Sequence, residues 1–252
     1  MGIFKDIWAS LETARNKSDY KKAHKVAMQT SAFMHLIFQN FKSPEIFIKH
    51  PLHETRLIDF KHKIDKMEAH ANACINLGDS LTDLSRAEID SIDGIFSVSG
   101  MWHYHMAQMS KDLKPYLAEK NVLVKYVAVG CLGGNPMLVY QDLNSTVENS
   151  LKALNDIKAD FPDVKFIVYG LPPAFNLNIV ENSYNFDAQL INWCISNSGV
   201  FISLKNLGST FGLFPKVEWS SDGVHFTQKA ARRFSKAVEK AKSALPGSVI
   251  FA

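Results

Sequence analysis

From residue 71 onward, short apolar runs alternate with longer stretches whose apolar residues recur at helical spacing. The apolar runs predict strands over 73–77, 94–98, 123–129, 164–170 and 200–204. The longer stretches predict helices over 101–119, 143–160, 184–198 and 227–244. This alternation indicates a parallel sheet with helices on both faces. Strands of such a sheet are buried on both sides, which explains why the runs are continuously apolar. The pattern therefore predicts an α/β fold.

The first 70 residues have helical periodicity without strand-like runs. Helices are predicted over 3–14, 18–40 and 53–70, with a proline-containing connection over 41–52. This part holds 12 Lys and Arg against 8 Asp and Glu, a net charge of +4, whereas the remainder has a net charge of −1. We therefore expect a helical extension over 1–70 and a second unit over 71–252. The positive extension is a candidate surface for self-association or for contact with a partner.

Composition narrows the class of protein. Of 252 residues, 46% are hydrophobic and 21% are charged, which is typical of a soluble globular protein. The net charge of +3 is too small to indicate a nucleic-acid partner. No uninterrupted apolar run approaches the roughly 20 residues of a membrane span.

The cysteines and the N-terminal residues indicate the cellular compartment of the protein. The count is odd, and each cysteine lies in or beside an apolar stretch: Cys74, Cys131 and Cys194. This favours buried free thiols in a reducing compartment over a disulfide framework. The first residues lack the apolar segment of a secretory signal. The sequence therefore predicts a cytoplasmic protein.

Polar and small residues follow the predicted strands. Ser80 follows the first strand, Gly100 the second and Asn135 the third, while Asp222 and His225 follow the fifth after a loop. In open α/β sheets, ligands bind outside the carboxyl ends of the strands. All five residues are therefore expected at one edge of the sheet.

Ser80, His225 and Asp222 are the residue types of nucleophilic hydrolysis. A serine hydroxyl is a weak nucleophile until a base accepts its proton, and a carboxylate can orient that base. The alternatives stay open at this point: Ser80 could cap a helix, Asp222 could end a loop, and His225 could lie on the surface. Gly223 between the two suggests a tight backbone constraint, which a surface loop does not require.

Gly100 and Asn135 are candidates for stabilising an oxyanion. Acyl transfer builds negative charge on a carbonyl oxygen, and fixed N–H donors stabilise that charge. A glycine lets a substrate approach the backbone N–H, and an asparagine amide can donate from its side chain. Taken singly, each residue could equally be part of a turn.

Together these segments resemble the SGNH branch of the GDSL hydrolases. The segment 76–83, which contains Gly78-Asp79-Ser80-Leu81, resembles the first conserved block of that family. Val98-Ser99-Gly100 resembles the second, Gly133-Gly134-Asn135 the third, and Asp222-Gly223-Val224-His225 the last. Pro136 stands where the family usually has an aspartate after the asparagine. The resemblance covers about residues 71–245 and leaves the extension without a role.

The resemblance implies a fold, a reaction and roles for these residues. The fold would be a three-layer, flavodoxin-like α/β/α sandwich with a five-stranded parallel sheet. The reaction would be hydrolysis of a small-molecule ester or thioester through an acyl-enzyme, without cofactor or metal. Ser80 would be the nucleophile, His225 the base and Asp222 its orienting partner. Ser80, Gly100 and Asn135 would form the oxyanion hole.

Two other functions remain compatible with the sequence. A non-catalytic binding protein could use the same fold, although the complete set of Ser80, Asp222 and His225 argues against it. An acyltransferase could pass the acyl group to a sugar or lipid in place of water.

Overall fold

The structure, a computed structural model, describes residues 53–67, 71–130, 132–138, 142–174, 177–209, 214–215, 218–220 and 225–252. The helices predicted over 3–14 and 18–40 lie outside the described residues, as do Cys131 and Asp222.

In the part of the chain that the structure describes, the core is a parallel sheet of six strands. Its strands are β1 (Ala73–Gly78), β2 (Gly94–Ser97), β3 (Val124–Gly130), β4 (Lys165–Tyr169), β5 (Val200–Ser203) and β8 (Val249–Phe251). They lie in the order β2-β1-β3-β4-β5-β8. Two further strands of two residues each, β6 (Gly208–Ser209) and β7 (Phe214–Pro215), form a separate antiparallel pair.

The predicted α/β fold is confirmed, but the expected strand number of five was wrong. The sixth strand, β8, pairs with β5 at the edge of the sheet through Phe201, Ile202 and Ser203. It has only three residues, two of which are exposed. Because a run this short carries no periodicity, the sequence pattern could not separate it from a loop.

Helices cover both faces of the sheet. They are α1 (His53–Asp65), α2 (Ser80–Leu84), α3 (His103–Glu119), α4 (Gly134–Leu138), α5 (Leu143–Asp160), α6 (Leu177–Ser196) and α7 (Gln228–Ser243). Side-chain caps explain two helix starts: Asp142 accepts a hydrogen bond from Ser145 N before α5, and Thr227 accepts one from Ala230 N before α7. The prediction for α6 was wrong at its start, because the helix begins seven residues before residue 184.

The two faces of the sheet hold separate apolar cores. Cys194 and Phe166 belong to one core and Cys74 and Phe234 to the other. Both cysteines are buried and free, which confirms the prediction for these two thiols.

Helix α1 packs on the sheet although it lies in the predicted extension. Leu57, Phe60 and Ile64 are buried in the same core as Phe96 of β2. The far end of α1 is held by Tyr116 of α3, whose hydroxyl donates a 2.9 Å hydrogen bond to Asp65 Oδ1 and lies 3.0 Å from Lys61 O. The residues 53–65 therefore share a core with the strands, and the boundary at residue 70 stays a prediction.

None of the described helices combines the length and apolar character of a membrane span.

Candidate active site at the carboxyl edge of the sheet

Ser80 lies on the turn between β1 and α2. The helix begins at Ser80 because Asp79 adopts an extended conformation and its carboxylate accepts a 3.0 Å hydrogen bond from Leu81 N. Asp79 is thus the helix cap, a role that the sequence left open for Ser80. Ser80 itself is buried, and its hydroxyl faces a residue far along the chain.

That residue is His225, just before α7. Nε2 of His225 lies 3.0 Å from Ser80 Oγ, across a sequence separation of 145 residues. The loop end is held at Thr227, whose N–H donates to Trp219 O at 2.9 Å and whose hydroxyl donates to Glu218 O at 2.7 Å. The two side chains are therefore buried together, in hydrogen-bond contact.

Asp222 lies outside the described residues. Its role as the orienting partner of His225 stays a prediction.

Gly100 lies on the turn that follows β2. Its φ is +82°, in the left-handed region, where a side chain would be strained. The preceding residue, Ser99, is held by a carboxylate of α2: Asp83 Oδ2 accepts from Ser99 N at 3.3 Å and from Ser99 Oγ at 2.9 Å. The turn that carries Gly100 is therefore joined to the helix that carries Ser80.

Asn135 lies in α4, directly after β3, and is buried. Its Nδ2 donates a 2.5 Å hydrogen bond to the carbonyl of Met101, the residue after Gly100. A side-chain amide nitrogen carries two hydrogens, so this bond uses one of them. The structure thus joins Asn135 to the Gly100 turn.

The strand order explains why these residues meet. The chain passes from β1 to β2 on one side and then returns to place β3 on the other side of β1. Such a reversal opens a crevice outside the carboxyl ends of the two strands at which the order reverses, here β1 and β3. Ser80 follows β1 and Asn135 follows β3, so both lie at this reversal.

A buried polar network lies beneath the Ser80 turn. Asn76 Nδ2 donates to Tyr169 Oη at 3.0 Å, and Ser97 Oγ donates to Asn76 Oδ1 at 2.8 Å. Ser97 has one hydroxyl hydrogen, so its 2.7 Å contact with Thr82 Oγ1 has Thr82 as donor. A Cβ at Gly78 would collide with Thr82 and lie 2.7 Å from the Tyr169 hydroxyl oxygen. Glycine at this position therefore lets the network approach the turn.

The carboxyl group of Asp79 is buried at this turn, and burial shifts its pKa. Burial raises the pKa of Asp79 to about 7, against the opposing effect of the Leu81 N–H bond. Desolvation disfavours the ionised form of a carboxyl group, which accounts for the direction. Near neutral pH, Asp79 is consequently divided between its protonated and ionised forms.

Sequence reasoning missed the roles of Asp79 and Asp83. Both stand in the segment 76–83, but their spacing does not reveal that one carboxylate caps α2 and the other holds Ser99. A signal was present: two acidic residues flank Ser80 within a largely apolar region. No group of three or more His, Cys, Asp or Glu among the described residues could hold a metal ion.

The same fold occurs in solved structures of lipolytic proteins. A candidate acylhydrolase from Bacteroides fragilis is 16% identical over 77% of this chain and 98% of that chain, with a TM-score of 0.60. A member of the lipolytic G-D-S-L family from Veillonella parvula is 15% identical over 69% and 100%, with a TM-score of 0.50. The lipase Lip_vut3 from a goat rumen metagenome is 14% identical over 69% and 98%, with a TM-score of 0.51.

No protein-family model and no curated protein matches the sequence. At these identities the likeness shows the fold, and this chain resembles the GDSL lipolytic proteins in that respect.

Proposed function

We propose that this protein is a serine hydrolase that cleaves a carboxylic ester or thioester through a covalent acyl-enzyme. The observation that carries the proposal is the 3.0 Å contact between His225 Nε2 and Ser80 Oγ, both buried at the carboxyl edge of the sheet. A nucleophile and a base at this distance are the minimal requirement for serine catalysis. The shared fold with lipolytic proteins is consistent with this class of reaction.

In the first half-reaction, Ser80 Oγ attacks the carbonyl carbon of the ester while His225 Nε2 accepts the hydroxyl proton. The tetrahedral intermediate collapses, the bond to the alcohol oxygen breaks, and His225 donates its proton to the departing alcohol. Ser80 is left carrying the acyl group. Asp222 is proposed to hold the second ring nitrogen of His225.

In the second half-reaction, water takes the place of the alcohol. His225 accepts a proton from the water as its oxygen attacks the acyl carbon, and then returns that proton to Ser80 Oγ. The carboxylic acid leaves, and the enzyme is restored. No cofactor is needed for either step.

Three donors are proposed for the negative charge of the intermediates: the N–H groups of Ser80 and Gly100 and the second hydrogen of Asn135 Nδ2. The bond from Asn135 to Met101 O fixes the plane of the amide, which orients that second hydrogen. One such donor is typically worth roughly 10²–10³ in kcat.

A fluorophosphonate probe tests the proposal directly, because it reacts with an activated serine. We expect the wild-type protein to be labelled and Ser80→Ala to lose both labelling and ester hydrolysis. Ser85→Ala is the matched control, since Ser85 is also buried and ends the same short helix. This control is expected to be labelled like the wild type.

A series of p-nitrophenyl esters of increasing acyl length would then identify the preferred acyl group. Wild-type protein that neither reacts with the probe nor hydrolyses any of these esters would contradict the proposal. That result would favour a non-catalytic binding protein on the same fold.

A further inference from the structure

Arg56 of α1 reaches the helix that carries Ser80. Its Nε lies 3.0 Å from Asp83 Oδ1, and the Asp83 side chain is only 1% exposed. The guanidinium group of Arg86 contacts the same oxygen. Both arginines also contact Asp59 Oδ2, at 3.1 and 3.2 Å. A buried carboxylate is unfavourable unless charged and hydrogen-bonding partners surround it. The two guanidinium groups therefore hold the orientation of the Asp83 carboxyl group.

The other oxygen of this carboxylate holds the turn after β2. Asp83 Oδ2 accepts hydrogen bonds from both the N–H and the hydroxyl of Ser99. With two of its groups bound to one oxygen, Ser99 has little freedom to rotate. The peptide group that links Ser99 to Gly100 follows directly after these two bonds, and its N–H is a proposed oxyanion donor.

The turn is also anchored by Asn135, which donates to the carbonyl of Met101, the residue after Gly100. Gly100 lies between the two anchors with its left-handed φ of +82°. Of the two anchors, only Asn135 belongs to the residues proposed to contact the substrate. Asp83 contacts the turn and not the reacting atoms.

We infer that Asp83, held in place by Arg56, is a positioning residue that aims the Gly100 N–H at the oxyanion. This inference rests on the proposed hydrolase function. It also assigns a role to α1, which lies outside the segments that resemble the GDSL hydrolases. Through Arg56, the helix supports the geometry of the site without contributing a catalytic residue.

The test compares three variants of the full chain with the wild type, using p-nitrophenyl acetate as substrate. Asp83→Asn removes the charge at constant size, and Arg56→Gln removes the arginine that reaches Asp83 from α1. Tyr116→Phe is the matched control, because it removes the hydroxyl that contacts Asp65 Oδ1 and Lys61 O at the other end of α1. Each variant is characterised by kcat, KM, the urea midpoint and hydrogen exchange of the peptide 97–102.

We expect Asp83→Asn to lower kcat by about 10- to 100-fold with KM changed less than about threefold, as for a misdirected oxyanion donor. Exchange in 97–102 should become faster. Arg56→Gln should also lower kcat and speed exchange in 97–102, but by less. This variant tests the role of Asp83 even if Asp83→Asn does not fold. Tyr116→Phe should lower the urea midpoint while kcat and exchange in 97–102 stay as in the wild type.

If the wild type is active and both Asp83→Asn and Arg56→Gln have the kcat of the wild type, the positioning role is overturned while the hydrolase function stands. The positioning role would also be overturned if Tyr116→Phe lost as much stability as Asp83→Asn and its kcat fell by the same factor. A wild type that is inactive and not labelled by the fluorophosphonate would instead overturn the hydrolase function, and the positioning role with it.

Discussion

At the scale of single residues, the ionisation of the Asp79 carboxyl group, next to Ser80, affects the stability of the fold. Its carboxyl group is buried, and burial raises its pKa to about 7. In the unfolded chain an aspartate ionises at about 3.9. Between these two values the unfolded state has released a proton that the folded state still holds. A rise in pH across this interval therefore favours unfolding through Asp79.

Replacing Asp79 with asparagine should remove this contribution. Asparagine can still cap α2, since its side-chain oxygen accepts the Leu81 N–H bond. We expect the free energy of unfolding of Asp79→Asn, relative to the wild type, to increase as pH rises from 4 to 7. Urea denaturation at several pH values across this range measures the difference. Parallel profiles of the two proteins would contradict the prediction.

Asp142→Asn is the control, because Asp142 caps α5 in the same way but is exposed to solvent. The hydrogen bond from Ser145 N lowers the pKa of Asp142 below its usual value. A lowered pKa stabilises the fold above the unfolded value and loses this effect as pH falls. The advantage of the wild type over Asp142→Asn should therefore shrink towards acidic pH, opposite in sign to the Asp79 effect.

At the scale of elements, α1 contributes to the core through one face only. Phe60 is 1% exposed, whereas Ile58, two positions earlier, is 52% exposed. Phe60→Ala should therefore cost about 3–5 kcal/mol of stability, since it leaves a cavity against β2. Ile58→Ala should change stability by less than about 0.5 kcal/mol. Urea midpoints of the two variants test this, and equal midpoints would show that α1 is not docked through Phe60.

At the scale of the whole molecule, the sheet separates two cores, and among the described residues each core contains one free thiol. Cys74 lies in one core and Cys194 in the other. Burial raises the pKa of each thiol to about 12. Since the thiolate is the reactive form, both should resist iodoacetamide at pH 8 in the native protein.

In increasing urea, pulsed alkylation read out peptide by peptide should show both thiols becoming reactive at one midpoint. A single midpoint is expected because the strands contribute side chains to both cores, so neither core persists without the other. Mass spectrometry separates these peptides from that of Cys131. Two distinct midpoints would show that the faces of the sheet unfold independently.

The candidate site could be predicted only where its residues carry a local signal. Ser80 follows the end of an apolar run and His225 lies just before a predicted helix, and the structure brings them within 3.0 Å. Arg56 carries no such signal, because its partner Asp83 is 27 residues away in another element. Nothing in the pattern around either residue identifies the other.

The sequence by itself determined the type and chain order of the five longer strands and the four longer helices from residue 71 onward. These follow from periodicity and helix caps, which are properties of neighbouring residues. It also placed Ser80, Gly100 and Asn135 directly after predicted strands. Because parallel strands end at the same edge of a sheet, this placement is sufficient to predict that the three residues share one edge.

Only the tertiary structure decided the order of the strands, the addition of β8, the docking of α1 and the ion pairs around Asp83. Each depends on contacts between segments far apart in the chain. Such contacts are selected by the packing of the whole core and the compensation of buried charge, and neither is encoded in any single stretch of residues.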